Sequence, residues 1–317
     1  MAGPGGGGNV TAAQASAAFD ALVRDVLPVV STGNDTFSGA RPAESFDRIY
    51  GGETAAQGLR AAALTVAPGK LAHSLHVTYL RIGDPRRPVE YTVERLRDSR
   101  TFSTRWVKAS QDGRLVATMT ASFQPEQPGF EHAVAPRSPI DSLAVPESLP
   151  RRETLLAQAF PIDPPQTARV PWPIDIRYLD RVPWAAAVGN GDASPANRMW
   201  MRADGILGDD PLDHLTVLAY ASDLTMFEPV LYPHAGSPWA LSWERVSRGD
   251  IRGASLDHTI WFHRPFRADE WLLHEQESTS AFGTRGLTTG RYYTADGRLV
   301  ASVAQELALL VDPPSGG

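Results

Sequence analysis

Apolar and polar residues alternate along this chain in two distinct rhythms. From Phe46 to Val66 it reads FDRIYGGETAAQGLRAAALTV, alanine- and leucine-rich sequence after a Gly51-Gly52 pair. This predicts a mostly buried helix entered through a tight glycine turn. The runs LAHSLHVTYLRIG, VEYTVERLR, TFSTRWVKAS and RLVATMTASFQ follow. They are β-branched and aromatic, broken by Gly, Pro and Asp, and predict successive antiparallel strands joined by hairpins.

Prolines crowd the next stretch, from Pro125 to Pro173, which excludes a continuous helix or sheet and predicts a linker with RRETLLAQAF as a short helix inside it. The first rhythm then returns. IDIRYL and RMWMRADG read as strands and PLDHLTVLAYASD as an apolar helix, while SLDHTIWFHRPF, EWLLHEQEST, TRGLTTGRYYT and RLVASVAQELALL read as strands again. The hexapeptide DGRLVA occurs in both halves, at Asp112–Ala117 and Asp296–Ala301, each time entering the last long strand. HSLHVTYLR and LDHTIWFHR stand at matching places ahead of it. We therefore read an internal duplication: an α+β chain made of two tandem units, each a long helix wrapped by a curved antiparallel sheet. A chain of 317 residues is long for one core and comfortable for two. The expected divisions are a flexible tail over 1–17, a first unit over 18–125, a Pro-rich linker over 126–172 and a second unit over 173–317.

A duplicated fold with one active site should carry polar residues in one copy where the other has plain core. On the two-residue period of the last strand, Leu299, Ala301, Val303 and Gln305 share a face, against Leu115, Ala117, Met119 and Ala121 in the first copy. Only the second copy ends that face in an amide. A buried Gln305 demands polar partners, whereas an exposed strand end would explain it without function. Asp223 closes the helix PLDHLTVLAYASD, at the end where the helix dipole disfavours a carboxylate. That placement suggests either a function or a solvated loop start. His258 and His263, and likewise His73 and His76, fall on opposite faces of their strands, and Asp257 and His258 point apart as strand neighbours. These histidines are expected to be structural rather than metal ligands.

Composition narrows the function further. With 42% hydrophobic and 21% charged residues the chain matches ordinary globular proteins. A net charge of −6 argues against a general nucleic-acid binder. The absence of cysteine excludes disulfides, thiolate metal sites and a thiol nucleophile. No apolar run approaches the roughly 20 residues that span a bilayer, and MAGPGGGG lacks the features of a signal peptide. The expected compartment is the cytoplasm, with no membrane partner. G-x-S-x-G and Walker motifs are missing, and GNGDAS at 189–194 lacks the last glycine of a dinucleotide fingerprint.

The segments YASDL, SLDHTIWFHRPFRADEWLL, ESTSAFGTRGL and DGRLVASVAQE, with YGGETAAQGLRAA, HSLHVTYLRIGD and MTASFQPEQPGFEH in the first half, resemble the acyl-CoA thioesterase II family from about residue 18 to 311. The resemblance implies a double hotdog: two fused units, each a helix rolled in a sheet. It also implies hydrolysis of fatty acyl-CoA by a water held between an Asp, a hydroxyl residue and a Gln of the second half. The matching positions are Asp223, Ser255 and Gln305. Where the family most often carries Thr, this chain has Ser255, which keeps the hydroxyl but loses β-branched stiffness. Neither metal nor organic cofactor is implied. The acyl chain would lie in an apolar tunnel between helix and sheet, with Arg264, Arg267 and Arg285 as candidates for the CoA phosphates. Alternatives are a hotdog enoyl-CoA hydratase, which would need a converging Asp and His, a non-catalytic acyl-CoA binding protein, and a scaffold serving assembly. Exposed sheet edges or faces suggest a homo-oligomer, dimer or tetramer.

Overall fold

A computed structural model of the protein describes residues 12–40, 48–159, 172–180, 194–234 and 251–311. Among these residues the strands form one antiparallel 13-stranded sheet. In chain order they are β1 (Val29–Gly33), β2 (Thr36–Gly39), β3 (Leu71–Tyr79), β4 (Glu90–Asp98), β5 (Ser103–Gln111), β6 (Arg114–Gln124), β7 (Ile174–Tyr178), β8 (Ala196–Ala203), β9 (Ile251–Ser255), β10 (Asp257–Phe262), β11 (Leu272–Phe282), β12 (Arg285–Thr294) and β13 (Leu299–Val311). The spatial order is β1-β2-β4-β5-β6-β3-β10-β13-β12-β11-β8-β7. All first-half strands therefore lie on one side of the β3–β10 seam and all second-half strands on the other. β9 continues β10 through Leu256 and pairs with the far end of β13.

Two helices fill the concave side. Helix α2 (Gly51–Ala63) buries Ala55, Ala56, Leu59, Ala61 and Ala62, whose short side chains allow close approach to the sheet. Helix α4 (Pro211–Ala221) buries every residue from His214 to Ala221. Its start is set by Asp210, whose carboxylate accepts the Leu212 N–H, and by Pro211 in the first turn. The helices lie side by side and antiparallel. Arg60 near the end of α2 pairs with Asp213 near the start of α4 at 2.7 Å, and the start of α2 meets the end of α4 at Asp223.

Both helices and most strands follow the periodicity of the sequence, and the architecture is the duplicated helix-on-sheet arrangement expected from it. The shared hexapeptide shows one difference. In the first copy Asp112 (φ 49°) and Gly113 (φ 72°) form a two-residue turn closed by the Gln111–Arg114 pair. In the second, one additional residue, Ala295, widens the loop. There the Gly297 N–H bonds to the Thr294 carbonyl, and among Asp296 and Gly297 only the glycine has positive φ (84°). The same six letters thus occupy the same place through two turn geometries.

Three further differences concern segments outside the elements expected from the sequence. The expected tail over 1–17 falls outside the described residues up to residue 11, but Ala12–Ala21 forms helix α1, and its Phe19 ring lies against Gly205. Burial of Phe19 and Leu22 accounts for order in that segment. The hairpin β1–β2 and strand β9 had no clear sequence signature. Within the expected linker, residues 160–171 are outside the described residues, as are 189–193 of GNGDAS. The part from 131 to 159 is a strap fastened to the outer face of the second half and contains the expected short helix, α3 (Arg152–Ala159). The Arg137 N–H donates to Glu275 at 3.0 Å, Trp200 donates to the Ala144 carbonyl at 3.0 Å and Trp271 donates to Glu147 at 2.7 Å. Ile140, Leu143 and Leu149 cover an outer cluster of Trp200, Leu273, Tyr293 and Leu299; a register shift beside Tyr292 and Tyr293 turns Leu299 away from the face of Ala301, Val303 and Gln305 that the two-residue period gave it.

Candidate active site

Asp223 follows the α4 C-cap, Ser222. The helix dipole disfavours a carboxylate at that end, but the start of α2 faces it and supplies the opposite pole. The Gly52 N–H donates to Asp223 Oδ2 at 3.0 Å. Ser255, the last residue of β9, donates to Asp223 Oδ1 at 3.0 Å. Gln305 in β13 donates through Nε2 to Ser255 Oγ at 2.8 Å. Asp223 is 6% exposed, Gln305 is fully buried, and Ser255 is half-buried, so the set opens outward on the serine side. The three side chains marked by the sequence are therefore one connected group. Two hydrogen bonds hold the Ser255 hydroxyl in the absence of β-branching.

First-half residues complete the site, and these the sequence reading did not single out. The Tyr79 hydroxyl donates to the Gly51 carbonyl at 2.9 Å and the Tyr50 hydroxyl to the Tyr220 carbonyl at 2.8 Å. Together they pin the first turn of α2 against Asp223. A Cβ on Gly51 would lie 2.8 Å from Asp223 Oδ2, and one on Gly52 2.4 Å from the Tyr220 carbonyl oxygen, so the glycine pair permits the contact. Burial, then the Asp223 charge, pushes the Tyr79 hydroxyl well above its ordinary pKa and keeps it a neutral donor. The signal for these residues was the glycine pair itself.

His258 was expected to be structural because it neighbours Asp257 in a strand. Those two residues do point apart: Asp257 accepts the Glu306 N–H at 2.8 Å. His258, however, points inward and is fully buried. Its Nδ1 lies 2.6 Å from Gln305 Oε1 and its Nε2 2.8 Å from Ser222 Oγ. Burial pushes its pKa below the ordinary value. His263 bonds Ser302 and His76 bonds Thr259, both on the outer side and away from the site. Among the described residues no group of His, Asp and Glu is arranged to hold a metal.

The first half lacks this chemistry at corresponding places. Leu75 lies opposite Ala121 in the β3–β6 register, where the second half has His258 opposite Gln305, and Ala72 stands at the position of Ser255. Thr65 follows the α2 cap as Asp223 follows that of α4, and Arg105 fills the space by donating to Thr65 Oγ1 at 2.7 Å and to Asp98 at 2.8 Å.

Of the proposed phosphate ligands, Arg267 is engaged by Asp209 and Asp269, and Arg264 by Glu131 and the Leu299 carbonyl. Arg285 pairs with Glu306 at 3.4 Å. The structure does not bring the three together.

This fold and this polar set define a class, and comparison with known proteins supplies the family. Residues 170–307 match the family model described as acyl-CoA thioesterase, and residues 40–124 match the acyl-CoA thioesterase N-terminal domain. The chain is 36% identical over 301 residues to human acyl-coenzyme A thioesterase 8, covering 92% of this chain and 90% of that protein. It is 34% identical to acyl-CoA thioesterase 2 of Haemophilus influenzae, over 85% of this chain and 90% of that one. Among solved structures, an acyl-CoA thioesterase II from Mycobacterium marinum superposes with a TM-score of 0.69 at 36% identity, covering 92% of this chain and 98% of the other. A hot dog fold protein from Alicyclobacillus acidocaldarius has the same TM-score, 0.69, at 21% identity and 92% and 97% coverage, and shows the fold. The chain belongs to the acyl-CoA thioesterase II family and is a double-hotdog thioester hydrolase.

Proposed function

We propose that this enzyme hydrolyses fatty acyl-CoA to free acid and CoA by direct attack of a water positioned by Asp223, Ser255 and Gln305. The observation that carries the proposal is the connected set itself, Gln305 to Ser255 to Asp223, present in one half and replaced by apolar residues and Thr65 in the other. Among the described residues each Asp223 oxygen accepts one hydrogen bond, which leaves it a lone pair for a water proton. The water oxygen bonds to the thioester carbon while its proton passes to Asp223. Collapse of the tetrahedral intermediate breaks the C–S bond, and the Asp223 proton goes to the departing sulfur. The positive end of α2, whose Gly52 N–H is committed to Asp223, lies beside the site and favours negative charge developing on the carbonyl oxygen. No metal or organic cofactor enters these steps.

The hydratase reading needs a histidine that reaches the substrate. Both nitrogens of His258 are engaged inside the protein, by Gln305 and Ser222, so the site favours hydrolysis. The reading includes a first unit over 18–125, a second over 173–317 that carries the three residues, a cytoplasmic setting and a homo-oligomer. The described helices include none long and apolar enough to cross a membrane.

The test is release of CoA thiol, followed with a thiol-reactive chromophore across short, medium and long acyl-CoAs. The chain has no cysteine to contribute background. Asp223→Asn should fold and lose about 10²- to 10⁴-fold in kcat. Retention of wild-type turnover would remove Asp223 from the mechanism.

A further inference from the structure

The protons around the site can be placed one after another from Asp223. An ionised carboxylate only accepts, so the single Ser255 proton points to Asp223 Oδ1. Ser255 then offers Gln305 only lone pairs, and the amide atom facing it at 2.8 Å must be Nε2. That leaves Gln305 Oε1 facing His258 Nδ1 at 2.6 Å, and an acceptor there requires Nδ1 to carry hydrogen. In the neutral ring Nε2 is an acceptor, and the Ser222 hydroxyl, 2.8 Å from it and also 3.2 Å from the Ala219 carbonyl, must give its one proton to the nearer Nε2 rather than to Ala219. Four hydrogen bonds therefore run in one direction, from Ser222 through His258, Gln305 and Ser255 to Asp223. The chain of bonds begins and ends on adjacent residues at one helix end.

We infer that His258 is a positioning residue for hydrolysis, which locks the Gln305 amide with its nitrogen toward Ser255 and its second N–H left for the attacking water or the carbonyl oxygen. This inference rests on the water-positioning role of Gln305 proposed above. An amide is nearly symmetric in shape, so packing alone does not choose between its two orientations. The Nδ1–H of His258 makes that choice, because the reversed amide would set two donors against each other. Where the first half has Ala121 in place of the amide it has Leu75 in place of the histidine, so the two functional groups are present or absent together.

Kinetics of thiol release would be compared for the wild type, Gln305→Ala, His258→Leu, His258→Asn and the His258→Leu, Gln305→Ala double variant. Asparagine can place an amide N–H near the position of Nδ1, and leucine cannot. His258→Leu should lower kcat about 10- to 100-fold with KM little changed, while His258→Asn recovers most of the loss. In the Gln305→Ala background, His258→Leu should have almost no further effect. Equal losses in the Asn and Leu variants, or losses that multiply in the double variant, would overturn the inference. Should His258→Leu fail to fold, nitrogen-15 NMR of histidine-labelled wild-type protein decides. A neutral His258 protonated on Nδ1 is expected, and the Nε2–H tautomer would overturn the proposal. Full turnover in Gln305→Ala would instead defeat the site assignment beneath it, and the tautomer would still report whether His258 holds the amide.

Discussion

At the scale of single residues, Ser255 stands where the resemblance implies Thr, and its surroundings supply what the missing methyl would. Its hydroxyl is oriented from both sides, by Asp223 and Gln305, so the rigidity that a β-branched neighbour would bring is supplied by partners. Ser255→Thr should stay within a few-fold of wild-type kcat, because a strand accommodates the β-branched side chain and the hydroxyl is kept. Ser255→Ala removes a donor and an acceptor together. A fall in kcat of about 10- to 100-fold is expected, with a stability change on the order of 1 kcal/mol because the residue is half-buried. Steady-state kinetics alongside thermal melts separates the two effects, and an Ala variant with wild-type kcat would show that the hydroxyl is not needed. Asp223, Ser255 and Gln305 were legible through residue type and resemblance. His258 was not, because strand alternation correctly turned it away from Asp257 and gave no indication that it would meet Gln305 across the β10–β13 register.

Among elements, the decisive contact is between the start of α2 and the end of α4. It brings a positive helix end to a carboxylate that its own helix disfavours, and it needs two residues without side chains. Gly52→Ala would drive a Cβ to 2.4 Å from the Tyr220 carbonyl oxygen, so the helices must separate and the Gly52 N–H must leave Asp223. A destabilisation of about 1–3 kcal/mol is expected, with a disproportionate loss of turnover. Chemical denaturation and thiol release on the same preparation would test it, and an active, stable variant would show that this contact does not set the geometry. The two helices and the long strands were readable because their apolar period runs over many residues. β1 and β2 were not, since VVSTG and TFSG are short and β1 is largely exposed. α1 was missed because an alanine-rich run with one buried aromatic has no apolar stripe. The described part of the proline-rich segment, 126–159, contains no strand, but its attachment depends on Trp200, Leu273 and Tyr293 on the outer face, a contact that the strand period does not indicate.

For the molecule as a whole, two buried titratable groups shape the response to pH in opposite directions. His274 stacks on Tyr292 with ring centroids 3.9 Å apart, and among the described residues neither ring nitrogen has a hydrogen-bond partner. Burial, then repulsion from His258, pushes its pKa down to about 3. Its contribution to stability is complete above the ordinary histidine value near 6.5 and is lost as pH falls toward 3. Glu228, in helix α5 (Glu228–Leu231), accepts from Tyr178 at 2.6 Å, and burial pushes it up to about 7. Its contribution is complete below about 4.5 and is lost as pH rises through 7. Between those values the two slopes, each at most about 1.4 kcal/mol per pH unit, oppose one another. His274→Phe keeps a ring against Tyr292 and removes one of them. Urea unfolding of that variant should show stability falling as pH rises from 5 to 7, more steeply than in the wild type. An unchanged profile would mean that His274 is not held neutral by its surroundings.

The seam between β3 and β10 joins two copies in which Ala72, Leu75 and Ala121 of the first stand at the places that Ser255, His258 and Gln305 hold in the second. In an assembly of identical subunits each substitution appears at every equivalent position, so a sheet of this kind made from two separate chains would carry the polar set on both sides or on neither. Covalent linkage removes that constraint. One half can hold the polar set while its twin carries Ala72, Leu75 and Ala121 at the matching places and lends that set the start of α2.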